Sequence, residues 1–289
     1  MKTNILVTGS NGQLGSSIRS IADQYPNLNF IFVDRTVVDI TNRTSVLAFF
    51  ERNFIHWCIN CAAYTAVDKA EEEEDIAHSV NVIGVKYLAQ ACNDYKVKLI
   101  HISTDFVFDG TGHTPYTETD ETQPINVYGQ TKLEGEVAIA SILEQHFVLR
   151  TSWLYSEFGN NFMRTMLRLS KEKEELKIVN DQIGTPTYAG DLAIFIVKLI
   201  ELDSHHYGIY HYSNAGVASW YDFAKAIFDL NQISISVIPI PSTDFPTPAI
   251  RPKYSVLDKT KVSLEFNIEI PQWRHSLEKA LNAFNKLVP

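Results

Sequence analysis

The stretch "ILVTGSNGQLG", Ile5 to Gly15, sets Gly9, Gly12 and Gly15 at three-residue intervals where a short apolar run gives way to an amphipathic one. Glycine permits a tight turn, lets backbone N–H groups approach a pyrophosphate, and lets the next helix pack closely on the strand. A glycine triplet alone is weak evidence, but its context strengthens it. A second apolar run, "FIFVDR", ends in Asp34, close to the roughly 20-residue offset expected of a carboxylate on an adenosine ribose. Gly9, Asn11, Gly12, Gln13, Leu14 and Gly15 are therefore candidate cofactor-binding residues. The competing reading is an ordinary strand-to-helix turn with incidental glycines.

Working outward, "NILVT", "NFIFV", "HWCINC", "KLIHIS" and "HFVLRT" read as strands, with helical patterns between them. Such alternation predicts βαβ units and a parallel sheet buried on both faces. "TNRTSVLAFFERN" and "EEEEDIAHSVNVIGVKYLAQACND" carry the 3.6-residue periodicity of covering helices. After about Thr151, Pro and Gly fall irregularly, as in "DQIGTPTYAGD" and "PIPSTDFPTPAIRPKY", which suits a smaller cap. The predicted class is α/β, a doubly wound parallel sheet over residues 1–151 joined by later elements from about 174–202. Residues 152–289 are expected to be mainly a substrate-binding cap interleaved with the first domain.

The bulk numbers exclude several classes. With 289 residues and 45% apolar content, the chain can bury a full core. Its net charge of -9 argues against a nucleic-acid backbone or an anionic membrane as main partner. No apolar run approaches the ~18 residues of a membrane span, and the N-terminal run is too short for a signal peptide, so a cytoplasmic protein is expected. Cys58 and Cys61 form a CxxC spacing, but in a strand residues three apart point to opposite faces. With no second ligand pair, Cys58, Cys61 and Cys92 read as structural thiols, and no metal site is expected.

In an open parallel sheet, ligands bind beyond the carboxyl ends of the strands. That places Asp39 and Ile40 of "VVDIT", and Cys61, Ala62, Ala63 and Tyr64 of "NCAAYTAVD", beside the glycine turn. Asp34 favours a free ribose 2′-hydroxyl, whereas Arg35 beside it could meet a 2′-phosphate, so NADH and NADPH both stay open.

The fourth apolar run ends in "STDFVFDGTG", with Ser103, Thr104 and Asp105 at a strand end, and "NVYGQTKLEGE" sets Tyr128 and Lys132 one helical turn apart. One helix face then carries a phenol and an ammonium. A hydroxyl can orient a carbonyl, a phenol can pass a proton, and a nearby cation can favour the phenolate. Lowering a tyrosine pKa by two units takes roughly 3 kcal/mol, which Lys132 and an oxidised nicotinamide are expected to supply. An isolated YxxxK would more often be an inert helix-surface pair.

Together the glycine turn, the STD strand end and YxxxK resemble the extended short-chain dehydrogenase/reductases. Within that family the chain is most similar to the branch that makes dTDP-L-rhamnose. The resemblance runs through "NCAAYTAVDKAE", "STDFVFDGTG", "INVYGQTKLEGE", "LRTSWLYSEFGNNF", "NDQIGTPTYAGDL" and "FPTPAIRPKYS". It implies a Rossmann-type fold and hydride transfer from NADPH or NADH to C4 of a dTDP-linked 4-keto sugar. By the same resemblance Tyr128 donates a proton, Thr104 hydrogen-bonds the same oxygen, and Lys132 holds the nicotinamide ribose. Val67, Asp105, Trp153, Asn161, Phe162 and Arg251 would face the dTDP-sugar. Trp153 could instead be a core aromatic at the domain junction, and Arg251 a structural ion-pair partner. Some members dimerise around a cation held by glutamates, one of them on the first helix. "GQLGSSIRS" has no acid, so a monomer or weak homodimer is expected.

Two rival readings accompany this one. Nucleotide-sugar dehydratases and epimerases share the glycine turn and YxxxK, but dehydratases need an acidic pair after the threonine, where this chain has Asp105 and Phe106. Epimerases usually carry a Ser-Ser strand end. A non-catalytic subunit like the regulatory subunit of methionine adenosyltransferase is the second rival, and the intact Thr104, Tyr128 and Lys132 set argues against it.

Overall fold

The computed structural model describes residues 2–287. Five apolar runs form β1 (Thr3–Thr8), β2 (Leu28–Phe32), β3 (Trp57–Asn60), β4 (Lys98–Thr104) and β5 (His146–Thr151). With an edge strand, Gly208–His211, they build one six-stranded sheet, parallel throughout, in the order β2, β1, β3, β4, β5, edge strand. Because β2 and β3 leave β1 on opposite sides, the sheet has a switch point between β1 and β3, where a crevice opens at the carboxyl ends.

Strand alternation sorts the core into two halves. Ile5, Val7, Ile59, Ile100, Phe147 and Leu149 join one cluster with helices Gln13–Ile21 and Ala189–Glu201. Leu6, Cys58, Leu99 and Val148 point the other way, against helices Arg43–Arg52, Val85–Tyr95 and Val127–Ile142. Cys58 and Cys61 accordingly pack on opposite faces, and all three cysteines are free thiols. The covering helical segment that starts at Glu74 contains a π-helical turn, Ser79–Gly84. That turn aims Asn81 at Tyr64, whose N–H and C=O it pairs at 2.9 and 3.1 Å.

A second lobe gathers Tyr155, Met163, Phe223, Trp273 and Leu277 around its own cluster. The expected contribution of residues 174–202 to the sheet divides. Helix Ala189–Glu201 does cover the sheet, but strand Glu175–Val179 pairs with Ser236–Ile240 away from it, and the sixth sheet strand lies later, at Gly208–His211. A short strand's apolar pattern encodes burial, not the partner it pairs with. Among the described residues no helix is long and apolar enough to cross a membrane.

Candidate active site

The glycine turn forms the floor of the crevice. Gly9 has φ +61°, and a Cβ there would lie 2.6 Å from the backbone N of Ala62, so only glycine lets β1 and the β3 end approach this closely. Gly12 caps helix Gln13–Ile21 without any side-chain acceptor, which leaves the first helical N–H groups directed at the crevice. Asp34 accepts from Thr36 N (2.9 Å), Thr36 Oγ1 (2.6 Å) and Asn11 Nδ2 (2.9 Å), bonds that hold its carboxyl below the usual range. Arg35 is exposed and reaches Asp39 at 3.3 Å. Its guanidinium is therefore already tethered to a carboxylate. Ile40 is buried against Gly84.

From this floor a cleft of about 610 Å³ runs between the lobes. Gly12, Gln13, Leu14, Gly15, Cys61 and Ala63 line its sheet side, and Thr104, Asp105, Tyr128 and Lys132 line its centre. Thr104 ends β4 and caps the following 3-10 turn, its Oγ1 accepting from Phe106 N at 3.2 Å. Helix Val127–Ile142 starts at Asn126, whose Oδ1 accepts from Gly129 N at 2.8 Å while its Nδ2 donates to Ile250 O at 2.8 Å. Tyr128 is thereby placed on the first turn of a helix tied to the second lobe. Its ring packs edge-on to Phe106.

Charge in the centre departs from the sequence expectation. The Tyr128 phenol is pushed up to about 12, first by lost hydration and then by the Asp105 carboxylate, with the Thr104 hydroxyl pulling the other way. Lys132 does not offset this, because its buried Nζ donates to Ile102 O at 2.6 Å and faces His101 Nε2 at 3.2 Å. Burial pulls the lysine down to about 8. Asp105 is also buried, its Oδ2 has no partner, and desolvation raises its carboxyl to about 6.

The far wall is aromatic. Trp153 has φ +45° and stacks on Trp220 with ring centroids 3.6 Å apart and planes 7° from parallel. Its ring lies over Gly184, where a Cβ would come within 2.7 Å of Cε2. Val67, Asn161 and Arg251 complete the lining. Arg251 forms a two-pronged ion pair with Asp68 at 2.9 and 2.7 Å, the structural alternative foreseen for it, while still facing the cleft. Asn161 caps helix Phe162–Leu169 and donates to Gln13 Oε1 at 2.9 Å.

Not every candidate reaches the cleft surface. Gly9 and Ala62 pack backbone to backbone, Asn11, Asp34, Arg35 and Asp39 are not among the residues that line the cleft, and Ile40 is buried in the core. Tyr64 turns its phenol to Glu73 at 2.5 Å. Phe162 packs behind Trp220 and stacks on Phe223, supporting the wall without forming it. Sequence reasoning passed over Trp220, Asn81 and His101. For His101 the available signal was a polar residue in the middle of the apolar run "KLIHIS". Among the described residues no group of three or more His, Cys, Asp or Glu could hold a metal ion.

Comparison with known proteins bears on this geometry. The family model for the RmlD substrate binding domain matches residues 2–286. A dTDP-4-dehydrorhamnose reductase from Aggregatibacter actinomycetemcomitans is 42% identical over 284 residues, 95% of this chain and 97% of the relative. The crystal structure of a dTDP-4-dehydrorhamnose reductase from Clostridium acetobutylicum is 43% identical with TM-score 0.94, covering 98% of this chain and 100% of that one. The dTDP-4-dehydrorhamnose reductase of Bacillus anthracis, solved in complex with NADP, is 40% identical with TM-score 0.95 over 98% and 100% of the two chains.

Proposed function

The chain belongs to the family of the RmlD substrate binding domain, the dTDP-4-dehydrorhamnose reductases, and from that premise we propose that it reduces the C4 keto group of dTDP-4-dehydro-L-rhamnose to give dTDP-L-rhamnose. It is a nicotinamide-dependent oxidoreductase, using NADPH or NADH. The residues fit a dinucleotide, since Gly9, Gly12 and Gly15 shape a tight turn at the cleft floor and the uncapped helix start offers N–H groups for a pyrophosphate. When bound, the nicotinamide supplies the hydride. In this reading Asp34 and Arg35 hold the adenosine ribose, and Asp39, Cys61 and Ala63 stand beside the ring system, with Ile40 and Ala62 packed behind them.

The chain's own residues then handle the proton. Tyr128 gives its proton to the sugar oxygen as negative charge develops there, and Thr104 hydrogen-bonds the same oxygen. A phenol pushed up to about 12 keeps its proton at neutral pH, as a donor in the reductive direction must. Lys132 holds the nicotinamide ribose. Val67, Asp105, Trp153 and Asn161 enclose the sugar. Phe162 supports the stacked wall, and Arg251 reaches the dTDP phosphates from its pair with Asp68.

The observation that supports this reading most is that one cleft is lined by the glycine turn, by Thr104, Tyr128 and Lys132, and by the tryptophan wall. The test is loss of reduced-nicotinamide absorbance with NADPH and NADH in parallel, the 4-keto sugar being supplied enzymatically. Oxidation that needs every component is expected. Folded protein that binds nucleotide but oxidises neither cofactor would overturn the proposal in favour of an epimerase or a regulatory subunit.

A further inference from the structure

Lys132 and Arg251 are the cations that line the cleft. Lys132 is buried at its centre with Nζ donating to Ile102 O at 2.6 Å, whereas the Arg251 side chain is 24% exposed. A guanidinium carries five N–H donors in one rigid plane. Arg251 Nη1 donates to Asp68 Oδ1 at 2.9 Å and to Ala249 O at 3.1 Å, and its Nη2 donates to Asp68 Oδ2 at 2.7 Å. The donors left over are Nε–H and the second Nη2–H, which run parallel along another edge of the plane. They make a second fork, the arrangement that takes two oxygens of a phosphate.

Asp68 itself does not line the cleft. It sits on the short helix Val67–Ala70 with its side chain 40% exposed, and the Arg251 guanidinium holds its carboxyl below the usual range. An ion pair this exposed adds little to stability. What it does is choose a direction, because a long side chain with many rotamers is confined to one and its unused edge is fixed. The mounting is braced in turn. Asp68 Oδ1 also accepts from Ala249 N at 3.3 Å, Asn126 Nδ2 donates to Ile250 O at 2.8 Å, and Glu71 Oε1 accepts from Val127 N at 2.9 Å. These bonds close a ring through residues 68–71, the start of the Tyr128 helix and residues 249–251.

We infer that Asp68 is a positioning residue for substrate recognition: by occupying one fork of Arg251 it presents the other to the diphosphate of the nucleotide sugar. The inference rests on the reading of the substrate as a dTDP-sugar, and it gives a role to a carboxylate that touches no substrate atom. A carboxylate beside an anion site would by itself oppose the anion. Paired two-pronged with Arg251, much of its charge is offset, and the anion meets two aligned N–H groups in place of a mobile cation. Because the same ring carries Tyr128, a diphosphate gripped by Arg251 is held at a set reach from the reacting phenol.

The test is calorimetric titration of the parent, Asp68→Asn, Arg251→Lys and the double variant with dTDP, with thymidine and with NADPH. Asparagine keeps the shape but cannot accept on both arms, so dTDP affinity should fall about tenfold while thymidine and NADPH affinities stay within about twofold. Arg251→Lys keeps the charge and loses the fork, and should lose at least as much. Adding Asp68→Asn to it should cost nothing further, since both changes remove one fork. In steady state the loss in Asp68→Asn should fall on the KM of the nucleotide sugar rather than on kcat, a split that a merely structural carboxylate would not give. Unchanged or tighter dTDP binding in Asp68→Asn, an equal loss for thymidine, or additive losses in the double variant would overturn the inference. So would a parent protein that binds dTDP no better than thymidine. Affinities that fall as stated in protein that oxidises neither nicotinamide would count against the reductase reading and leave the inference standing.

Discussion

The floor and the far wall of the cleft each carry a residue in the left-handed region, Gly9 at φ +61° and Trp153 at φ +45°, and they use one backbone conformation in opposite ways. At Gly9 the conformation costs little, and the missing side chain admits the backbone of Ala62. At Trp153 it costs about 1–2 kcal/mol, and it persists because a large ring is clamped between Trp220 and Gly184. The floor owes its shape to an absent side chain and the wall to a crowded one. Adding a methyl group should therefore damage the floor, whereas removing a neighbour should damage the wall.

Tyr128 stands between the two, and Tyr128→Phe should lower turnover at least ~100-fold while leaving nucleotide affinity intact, because neither surface is touched. Single-turnover kinetics beside a nucleotide titration checks this, and near-normal turnover would sink the general-acid assignment. Gly9→Ala attacks the floor alone. Its Cβ would meet backbone rather than a yielding side chain, so nucleotide affinity should fall about tenfold or more, with a stability loss of roughly 1–3 kcal/mol. Calorimetric titration and denaturant unfolding would report both. Trp220→Ala removes the neighbour that clamps the wall, and at about 1 kcal/mol for a lost aromatic stack the sugar KM should rise several-fold with nucleotide affinity unchanged. A matching loss of nucleotide affinity would mean that floor and wall are not independent.

The last effect concerns Asp105, at the centre, and is read in stability alone. Its folded pKa of about 6 lies above the unfolded value of 3.8, so the buried carboxylate destabilises the fold above pH ~6. That cost is relieved as pH falls through 6 toward 4 and the carboxyl protonates. Asp105→Asn should accordingly be more stable than the parent by about 1–3 kcal/mol at pH 7 and lose the advantage near pH 4. Denaturant midpoints at the two pH values decide it.

What could be read in advance followed from local pattern. The five strands, the glycine turn and the Tyr128–Lys132 spacing depend on neighbours a few residues away, and the structure places them as read. The pairing of Glu175–Val179 and the packing of Phe162 on Trp220 and Phe223 depend on segments far along the chain, and composition carried no trace of them. The electrostatics of the centre belong to the same class. Helical spacing put Lys132 on the face of Tyr128, but its amine is claimed by His101 and Ile102, which a different strand brings underneath.

Gln13 belongs to the floor of the cleft, yet its side chain is spent on distant chain. It donates to Leu154 O at 3.3 Å and accepts from Ser156 Oγ at 3.2 Å and Asn161 Nδ2 at 2.9 Å, residues 141 to 148 positions away. It acts as a strut between the sheet and the second lobe. A second lobe that swings away from the sheet must snap this brace or drag the start of the first helix with it. Any separation of the lobes would in this way be felt first at the helix start that faces the cleft.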